Sequence, residues 1–270
     1  MFDKGLAQKA AENLKKVREK KPLIHSITNY VTMNYTANAL LACGASAVMA
    51  HAEEEVEEMV CLADALVLNL GTLSEVRVHA MEKAGKEACK RHLPIVLDPV
   101  GAGATTLRTR SCQRLIRELS IRVIRGNPSE ILSLSHEGAR PRGIESVHPV
   151  DAAAEAAVNL AREHGSILAV SGRVDLVTDG KTRYRVHNGH DMLGSMTGAG
   201  CTATAMIAAF LAVGSNALEA TAAALSYFGL AAEKAAKSSE GPGSFQIRLL
   251  DALYRMDEEE LKQGARIEIA

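Results

Sequence analysis

The sequence predicts an α/β fold in which a mostly parallel central sheet is flanked by helices on both sides. Two observations support this prediction. Short runs of Val, Ile and Leu recur along the chain, and longer helical patterns separate them. The runs are apolar throughout rather than alternating, which is typical of strands buried on both faces of a parallel sheet. The 270 residues, 47% of them hydrophobic, suit one large domain, so we expect a single domain over residues 1–270.

The individual elements follow from these runs in chain order. An N-terminal helix is indicated by Leu6, Ala10, Leu14 and Val17, which share one helical face. The predicted strands cover residues 23–27, 46–50, 65–70, 95–99, 121–126 and 167–172. The predicted helices between them cover residues 31–43, 53–63, 74–91, 107–118 and 151–164. Their alternation implies βα units and hence parallel strands.

The remaining segments differ from this alternation. Asp179-Gly180 separates two β-like runs, so a hairpin is expected over residues 174–189. The last third of the chain predicts helices near 199–213, 216–238 and 244–260. Residues 136–149 contain two prolines, Pro141 and Pro149, and two glycines, and we expect a loop there.

Composition excludes several classes of protein. The formal net charge is −1 and aromatic residues make up 3%, which argues against a nucleic-acid-binding surface. No apolar run reaches the roughly 18 residues of a membrane span, and the N-terminus is too charged for a signal peptide, so a cytoplasmic protein is expected. The five cysteines are odd in number and form no CxxC, which argues against a disulfide framework or zinc. We interpret four of them as small core residues: Cys43, Cys61, Cys89 and Cys112.

The strongest chemical motif is Thr197-Gly198-Ala199-Gly200-Cys201, at the start of a long apolar helix. Glycines let backbone N–H groups turn inward, and a helix N-terminus favours anions, so this segment suits a phosphate that is being transferred. The helix end should lower the pKa of the Cys201 thiol, which could then accept a proton from a hydroxyl. The alternative is a plain helix entry in which the cysteine only packs.

Two further loops follow predicted strands. Asp98 precedes the glycine-rich segment 99–105 and could reach Mg²⁺ through water. Arg125 precedes Asn127-Pro128-Ser129-Glu130, where the carboxylate and the guanidinium would serve a metal and phosphates. The same residues also read as a helix N-cap similar to a capping box, which accounts for them without any function.

A third group of residues would line a pocket for a small heterocycle. It comprises the segments His25–Asn29 and Asn69–Thr72, the latter including Gly71, together with Met49. For Met49 alone, a place in the core is the more usual outcome. Ser171 ends another predicted strand, either beside a nucleotide or in an ordinary turn.

Taken in order, the motifs resemble the hydroxyethylthiazole kinases of thiamine salvage. The matching stretches are HSITNYV, TANALLACGASAVMA, ALVLNLGTL, IVLDPVGAGAT, IRGNPSEI, TGAGC and GPGSFQI. The resemblance covers nearly the whole chain, from about residue 20 to residue 255. The resemblance implies a ribokinase-like three-layer fold, ATP and Mg²⁺. It also implies phosphorylation of the hydroxyl of 4-methyl-5-(2-hydroxyethyl)thiazole.

The resemblance also assigns roles to residues. It implies that Met49 and Gly198 contact the thiazole, and that Asn29 and Gly71 lie in the same pocket. Arg125 and Ser171 would contact ATP, and Asp98 and Glu130 would serve the metal. Residues 198–200 would form the anion hole, and a homotrimer would place the sites at subunit boundaries. Ribokinase-like enzymes in general carry Asp at position 201, whereas a Cys there is typical of the thiazole kinases.

Three alternatives remain open from the sequence. Gly198-x-Gly200-x-x-Ala203 matches a dinucleotide-binding pattern, although no predicted strand directly precedes it. A pyrimidine-alcohol kinase or an ATP-hydrolysing repair dehydratase would share the fold. A non-catalytic relative would be expected to lack part of the set formed by Asp98, Arg125 and Glu130, which is intact.

Overall fold

The predicted strands form one continuous sheet. The computed structural model describes residues 1–135 and 149–270, without the side chain of residue 149. In these ranges nine strands join in the order β2-β1-β3-β4-β5-β6-β7-β8-β9. Their bounds are β1 Leu23–Ile27, β2 Ser46–Val48, β3 Ala65–Asn69, β4 Ile95–Asp98, β5 Val123–Gly126, β6 Ile167–Val170, β7 Asp175–Thr178, β8 Arg183–Val186 and β9 Ile267–Ile269.

Most of the sheet is parallel, as the apolar runs predict. The pairs from β2 through β6 are all parallel, and β7, β8 and β9 continue the sheet in antiparallel fashion. The predicted hairpin over 174–189 is the β7–β8 pair, with Gly180 at φ +88° in its turn. The register between β3 and β4 pairs Asn69 with Asp98, which brings two polar residues side by side at the carboxyl edge.

Helices cover both faces of the sheet. In the described part of the chain they are α1 Lys4–Lys20, α2 Met33–Cys43, α3 Val56–Leu62, α4 Glu75–Lys90, α5 Thr106–Glu118, α6 Pro128–Ser135, α7 Pro149–His164, α8 Ala199–Leu211, α9 Ala217–Ala236, α10 Pro242–Arg255 and α11 Glu258–Gly264. A short 3₁₀ helix, Asp191–Ser195, precedes α8.

The two faces of the sheet carry separate hydrophobic cores, which makes the fold three-layered. Val67 of β3 packs with α1, α2, α8, α9 and α10 on one face. Its neighbours Leu66 and Leu68 pack with α3 to α7 on the other face. This alternation follows from the two-residue period of a strand, and it explains why both faces of the predicted strands are apolar.

Three details differ from the expectations. The helix predicted over 244–260 is interrupted, because Asp257 caps a new helix and accepts the N–H of Glu260. Strand β9 was not predicted, since an alternation of three residues is too short to recognise. Cys61 is exposed rather than buried, whereas Cys43 and Cys112 lie in the core, and all five cysteines are free thiols.

The predicted loop and the expected lack of a membrane-spanning helix both depend on which residues the structure describes. The loop predicted over 136–149 lies, up to residue 148, outside the residues that the structure describes. Within residues 1–135 and 149–270, no helix combines the length and apolarity needed to cross a membrane.

Candidate active site

The carboxyl ends of the parallel strands meet the first turn of α8. Helix α8 packs across β1, β3 and β4, so its N-terminus lies over the edge where these strands end. In open α/β sheets this edge is where ligands bind. The structure therefore gathers at one edge the polar residues that the sequence places after separate strands.

A chain of hydrogen bonds connects Cys201 with Asp98. The Nδ2 of Asn29 donates to Cys201 Sγ at 3.2 Å and to Asn69 Oδ1 at 2.9 Å. The Nδ2 of Asn69 in turn donates to Asp98 Oδ2 at 2.8 Å, as does the hydroxyl of Thr204 at 2.8 Å. Two side-chain amides thus join the predicted base to the predicted metal-binding carboxylate. Thr204, one turn into α8, was missed because nothing in its sequence context marks it.

The pKa of the Cys201 thiol is raised, contrary to the prediction. Burial is the larger cause, and the negative charge of Asp98 is the second. Hydrogen bonds from Asn69 and Asn29 oppose the shift without reversing it. The prediction considered only the helix end, whereas the folded chain also buries the thiol beside a carboxylate. The sulfur is consequently a protonated thiol near neutral pH in this structure.

Asp98 is almost completely buried, with 1% of its surface exposed. Burial raises its pKa to about 6, the positive charge of Arg125 opposes this shift, and the charge of Glu130 adds to it. Its Oδ2 accepts two hydrogen bonds, and within the described ranges Oδ1 has no hydrogen-bond donor. A buried carboxylate with a free oxygen beside a second carboxylate suits a nearby cation, which would stabilise the ionised form.

Glu130 has a structural role in addition to its predicted one. Its Oε1 accepts the N–H of Gly101 at 2.8 Å, and its Oε2 accepts the N–H of Asn127 at 2.8 Å. Its own N–H donates to Asn127 Oδ1 at 2.9 Å, which completes the capping box that the sequence indicates. The side chain therefore ties the loop after β4 to the start of α6.

The donor set suits magnesium better than a metal that needs many protein ligands. Among the described residues, no three His, Cys, Asp or Glu side chains form a cluster that could hold a metal ion. Mg²⁺ commonly uses one or two carboxylates and completes its shell with water and substrate phosphates. Asp98 and Glu130 fit that pattern.

Neighbouring side chains lie close against the two glycines at the start of α8. Gly198 has φ +89°, and a Cβ there would lie 2.6 Å from Thr32 Cγ2. A Cβ on Gly200 would lie 2.4 Å from Arg125 Nη1, because the guanidinium rests directly against the Gly200 backbone. The Nε of Arg125 donates to Ser171 Oγ at 2.7 Å. Arg125, Ser171 and Gly200 therefore form one contiguous surface.

This surface opens into a cleft of about 670 Å³. Arg125, Ser171, Ala199 and Gly200 line one side of it. The opposite side was missed by sequence reasoning, because it comes from the segment after β8 and from the apolar interior of α9, neither of which carries a motif. Its residues include His187, Asn188, Gly189, His190, Leu225, Phe228 and Gly229.

Of the two other predicted substrate contacts, Gly71 lies against Asn29 and Met49 packs against the core. Gly71 is buried, and a Cβ there would lie 2.7 Å from Asn29 Cβ, so Gly71 supports Asn29 from behind. The N–H of Gly71 donates to Asn69 Oδ1 at 3.0 Å, which fixes the orientation of that amide. Met49 is partly buried against the core face that contains α8, and its carbonyl contacts His51 Nδ1 at 3.2 Å.

Similarity to solved structures defines the class first. A ribokinase-like superfamily protein from Enterococcus faecalis V583 matches with a TM-score of 0.68 at 14% identity, covering 95% of this chain and 96% of that one. A pyridoxal kinase from Staphylococcus aureus, solved with AMP-PCP and pyridoxal, matches with a TM-score of 0.60 at 17% identity over 92% and 98% of the two chains. The fold is therefore ribokinase-like, as the resemblance implied.

The family follows from closer relatives. The profile of the hydroxyethylthiazole kinase family matches residues 14–259. The hydroxyethylthiazole kinase of Desulfotalea psychrophila is 56% identical over 258 residues, which cover 96% of this chain and 94% of that one. The solved hydroxyethylthiazole kinase of Pyrococcus horikoshii OT3 is 47% identical and superimposes with a TM-score of 0.89. The match covers 97% of this chain and 98% of that one. The chain belongs to the hydroxyethylthiazole kinase family.

The oxidoreductase alternative is contradicted by these findings. A dinucleotide-binding GxGxxA segment should follow a buried strand and open the helix of a βαβ unit. Here a 3₁₀ helix, not a strand, precedes Gly198. The family match also disfavours the dehydratase and the non-catalytic relative, because the relatives carry the name of a kinase.

Proposed function

We propose that this protein transfers the γ-phosphoryl group of ATP to the hydroxyl of 4-methyl-5-(2-hydroxyethyl)thiazole. One observation carries the proposal: the first turn of α8 borders the cleft on one side and contacts Asn29 on the other. Gly200 borders the cleft together with Arg125, and Cys201, the next residue, contacts Asn29 on the opposite side. A phosphate in the cleft and an alcohol beside Asn29 would therefore meet at the first turn of α8.

At the nucleotide end, Arg125 and the first turn of α8 would bind the phosphates. A guanidinium suits phosphate oxygens, and the unpaired N–H groups of a helix N-terminus add positive potential. The hydrogen bond from Arg125 Nε to Ser171 fixes the plane of the guanidinium before ATP arrives. Residues 198–200 would stabilise charge that builds up on the transferring group.

A magnesium ion would be held near Asp98 and Glu130, the latter through the oxygens that also cap α6. When bound, the ion would offset negative charge on the phosphates. The buried Asp98 carboxylate would be kept ionised by such a cation. Asn69 and Thr204 would hold the carboxylate in place, because both donate to the same oxygen.

At the alcohol end, Asn29, Met49 and Gly198 would position the thiazole, and Gly71 would support Asn29. Phosphoryl transfer passes through a loose transition state, so positioning and electrostatics should outweigh base strength. With its raised pKa the Cys201 thiol is mostly protonated near neutral pH, so only the small thiolate fraction could act as a base, which agrees with a helpful but dispensable role. The sulfur would orient the hydroxyl, and its thiolate form, where present, would accept the hydroxyl proton late in the transfer; in the protonated form that proton would leave to water.

We further propose a cytoplasmic homotrimer with sites at subunit boundaries. Exposed large apolar side chains support an interface near the site: Tyr30 and Val31 directly follow Asn29, Leu41 lies on α2, and Ile247 and Tyr254 lie on α10. Helices α2 and α10 pack against each other, so their exposed residues share a region of the surface. Light scattering should give three times the mass of the 28.7 kDa chain. A cytoplasmic location would match the supply of ATP.

The direct test is to incubate the purified protein with ATP, Mg²⁺ and the thiazole alcohol, and to detect the phosphate ester by mass spectrometry. Arg125→Met should lose most of the ester, whereas Arg122→Met, at the amino end of the same strand, should retain it. Arg122 is exposed and thus a matched control for loss of charge. No ester in the wild type, but phosphorylation of a pyrimidine alcohol, would contradict the thiazole assignment and keep the kinase class.

A further inference from the structure

The far side of the cleft is held by the C-terminal end of the chain. We infer that the ion pair between Glu233 and Arg266 positions the segment 187–190, and that it thereby sets the affinity for the nucleotide. Glu233 lies on α9, and Arg266 directly precedes β9. The inference rests on the proposed function, since it takes the cleft to be the nucleotide site.

The Glu233 carboxylate connects the segment with Arg266. Its Oε1 accepts the backbone N–H of Gly189 at 2.8 Å and the side-chain amide of Asn188 at 3.3 Å. The guanidinium of Arg266 donates to the same carboxylate from Nη2 at 2.6 Å and from Nη1 at 3.0 Å. This two-point contact is a fork-to-fork arrangement, which is geometrically specific as well as strong.

Asn188 is the centre of the second set of contacts. It is only 4% exposed, although it borders the cleft. Its Oδ1 accepts from Ser226 Oγ at 2.7 Å and from the N–H of Arg266 at 2.8 Å, and its Nδ2 donates to the carbonyl of Gly264 at 3.0 Å. Every polar atom of this amide is therefore committed to α9 or to the C-terminal segment.

Close packing keeps the segment against α9. A Cβ on Gly229 would lie 2.4 Å from the carbonyl oxygen of Asn188, so the segment lies directly on the helix backbone. Arg266 and His187 are also joined by two hydrogen bonds. The backbone N–H of His187 donates to the carbonyl of Arg266 at 2.9 Å, and Nη2 of Arg266 donates to the carbonyl of His187 at 2.8 Å. His187 Nε2 further contacts Glu268 at 2.8 Å.

These contacts make Arg266 a positioning residue. Its guanidinium reaches the carbonyl of one cleft residue and the carboxylate that holds the next two, and it does not itself border the main cleft. Without the guanidinium, the carbonyl of His187 loses a donor and the Glu233 carboxylate loses the partner that orients it, so the segment 187–190 is held less rigidly. Binding a nucleotide must then order the segment, which costs affinity. The transfer step, at the other side of the cleft, should be unaffected.

The experiment compares Arg266→Ala and Arg266→Lys with Arg248→Ala. Arg248 lies on α10, where it pairs with Asp251, and serves as the matched surface control. Calorimetry with MgATP alone gives Kd, and the ester assay gives KM for each substrate and kcat. We expect Arg266→Ala to raise Kd and KM for ATP roughly three- to tenfold. KM for the thiazole alcohol and kcat should stay within twofold, and Arg266→Lys should recover part of the loss.

Several outcomes would overturn the inference. ATP affinity of Arg266→Ala within twofold of wild type would do so, and so would equal losses for both substrates. If Arg266→Ala fails to fold, Glu233→Gln decides instead, because it removes the charge and keeps the side-chain volume. It should weaken ATP binding in the same selective way, and unchanged binding refutes the inference. A wild type that forms ester rules out failure of the proposed function as the cause of either result.

Discussion

Replacing Gly200 with Ala should lower the enzymatic activity without lowering the stability of the fold. Gly200 occupies the second position of α8, and its φ is not positive, so Ala can adopt the same backbone. Alanine in a helix is favoured over glycine by up to about 1 kcal/mol, partly through the unfolded state. The new Cβ would meet Arg125 Nη1 at 2.4 Å, which is the mobile end of a long side chain. The guanidinium can therefore move away at little cost to folding.

The displacement should be costly for catalysis. It would pull the guanidinium away from Ser171 and from the phosphates it is proposed to bind. One hydrogen bond to a charged group contributes about 1.5–3 kcal/mol. Since about 1.4 kcal/mol corresponds to a factor of ten, kcat/KM for ATP should fall about ten- to hundredfold. The melting temperature should be unchanged or higher.

A matched control is available at the same position of another helix. Gly243 is the second residue of α10, and a Cβ there would meet no atom within 4 Å. Gly243→Ala should therefore keep wild-type activity and gain similar stability. The assays are differential scanning fluorimetry and initial rates of ester formation at varied ATP. If Gly200→Ala keeps kcat/KM within threefold, the assigned role of the Arg125–Gly200 contact is wrong.

Three further predictions concern other parts of the molecule. Cys201→Ala should lower turnover by less than about a hundredfold, the lower end of what a general base contributes. Cys201→Asp should keep or raise turnover, and a folded but inactive Ala variant would contradict this mechanism. Burial raises the pKa of Asp175 to about 6 against the opposing N–H of Gly172 and the charge of Arg125. Because this folded-state pKa exceeds the unfolded value, the carboxyl stabilises the fold below about pH 4 and loses that contribution as pH rises through 6. The melting temperature of wild type minus that of Asp175→Asn should therefore fall between pH 4 and pH 7.5, and a flat difference would refute the shift. Leu14→Ala, at a fully buried position of α1, should lower the unfolding free energy by about 2–5 kcal/mol in urea titrations. Lys15→Ala beside it, whose side chain is 64% exposed, should change that energy by less than about 0.5 kcal/mol.

Much of the site was predictable because its residues follow strands. Parallel strands bring their carboxyl ends to one edge, so Asn29, Asp98 and Arg125 had to meet there once the strands were recognised. The capping role of Glu130 was also predictable, since it depends only on Asn127, three residues earlier. In both cases local sequence, or a simple rule of topology, is sufficient.

The state of the Cys201 thiol was not predictable in this way. Its pKa depends on burial and on Asp98, which is more than a hundred residues away in sequence. The hydrogen bonds that join them pass through Asn29, two residues after β1, and Asn69, the last residue of β3. No local pattern encodes such a network, because each of its members is an ordinary polar residue in its own segment.

The sequence by itself determined the three-layer α/β fold, the edge at which the candidate site lies, and the family. Those features follow from the period of apolar residues and from short motifs, which act over a few residues at a time. Only the tertiary structure decided that Gly200 carries Arg125 on its backbone, that Gly71 supports Asn29, and that the C-terminal segment at Arg266 holds the far wall of the cleft. These are contacts between segments that lie far apart in the sequence. They form only when the folded chain packs those segments directly against each other.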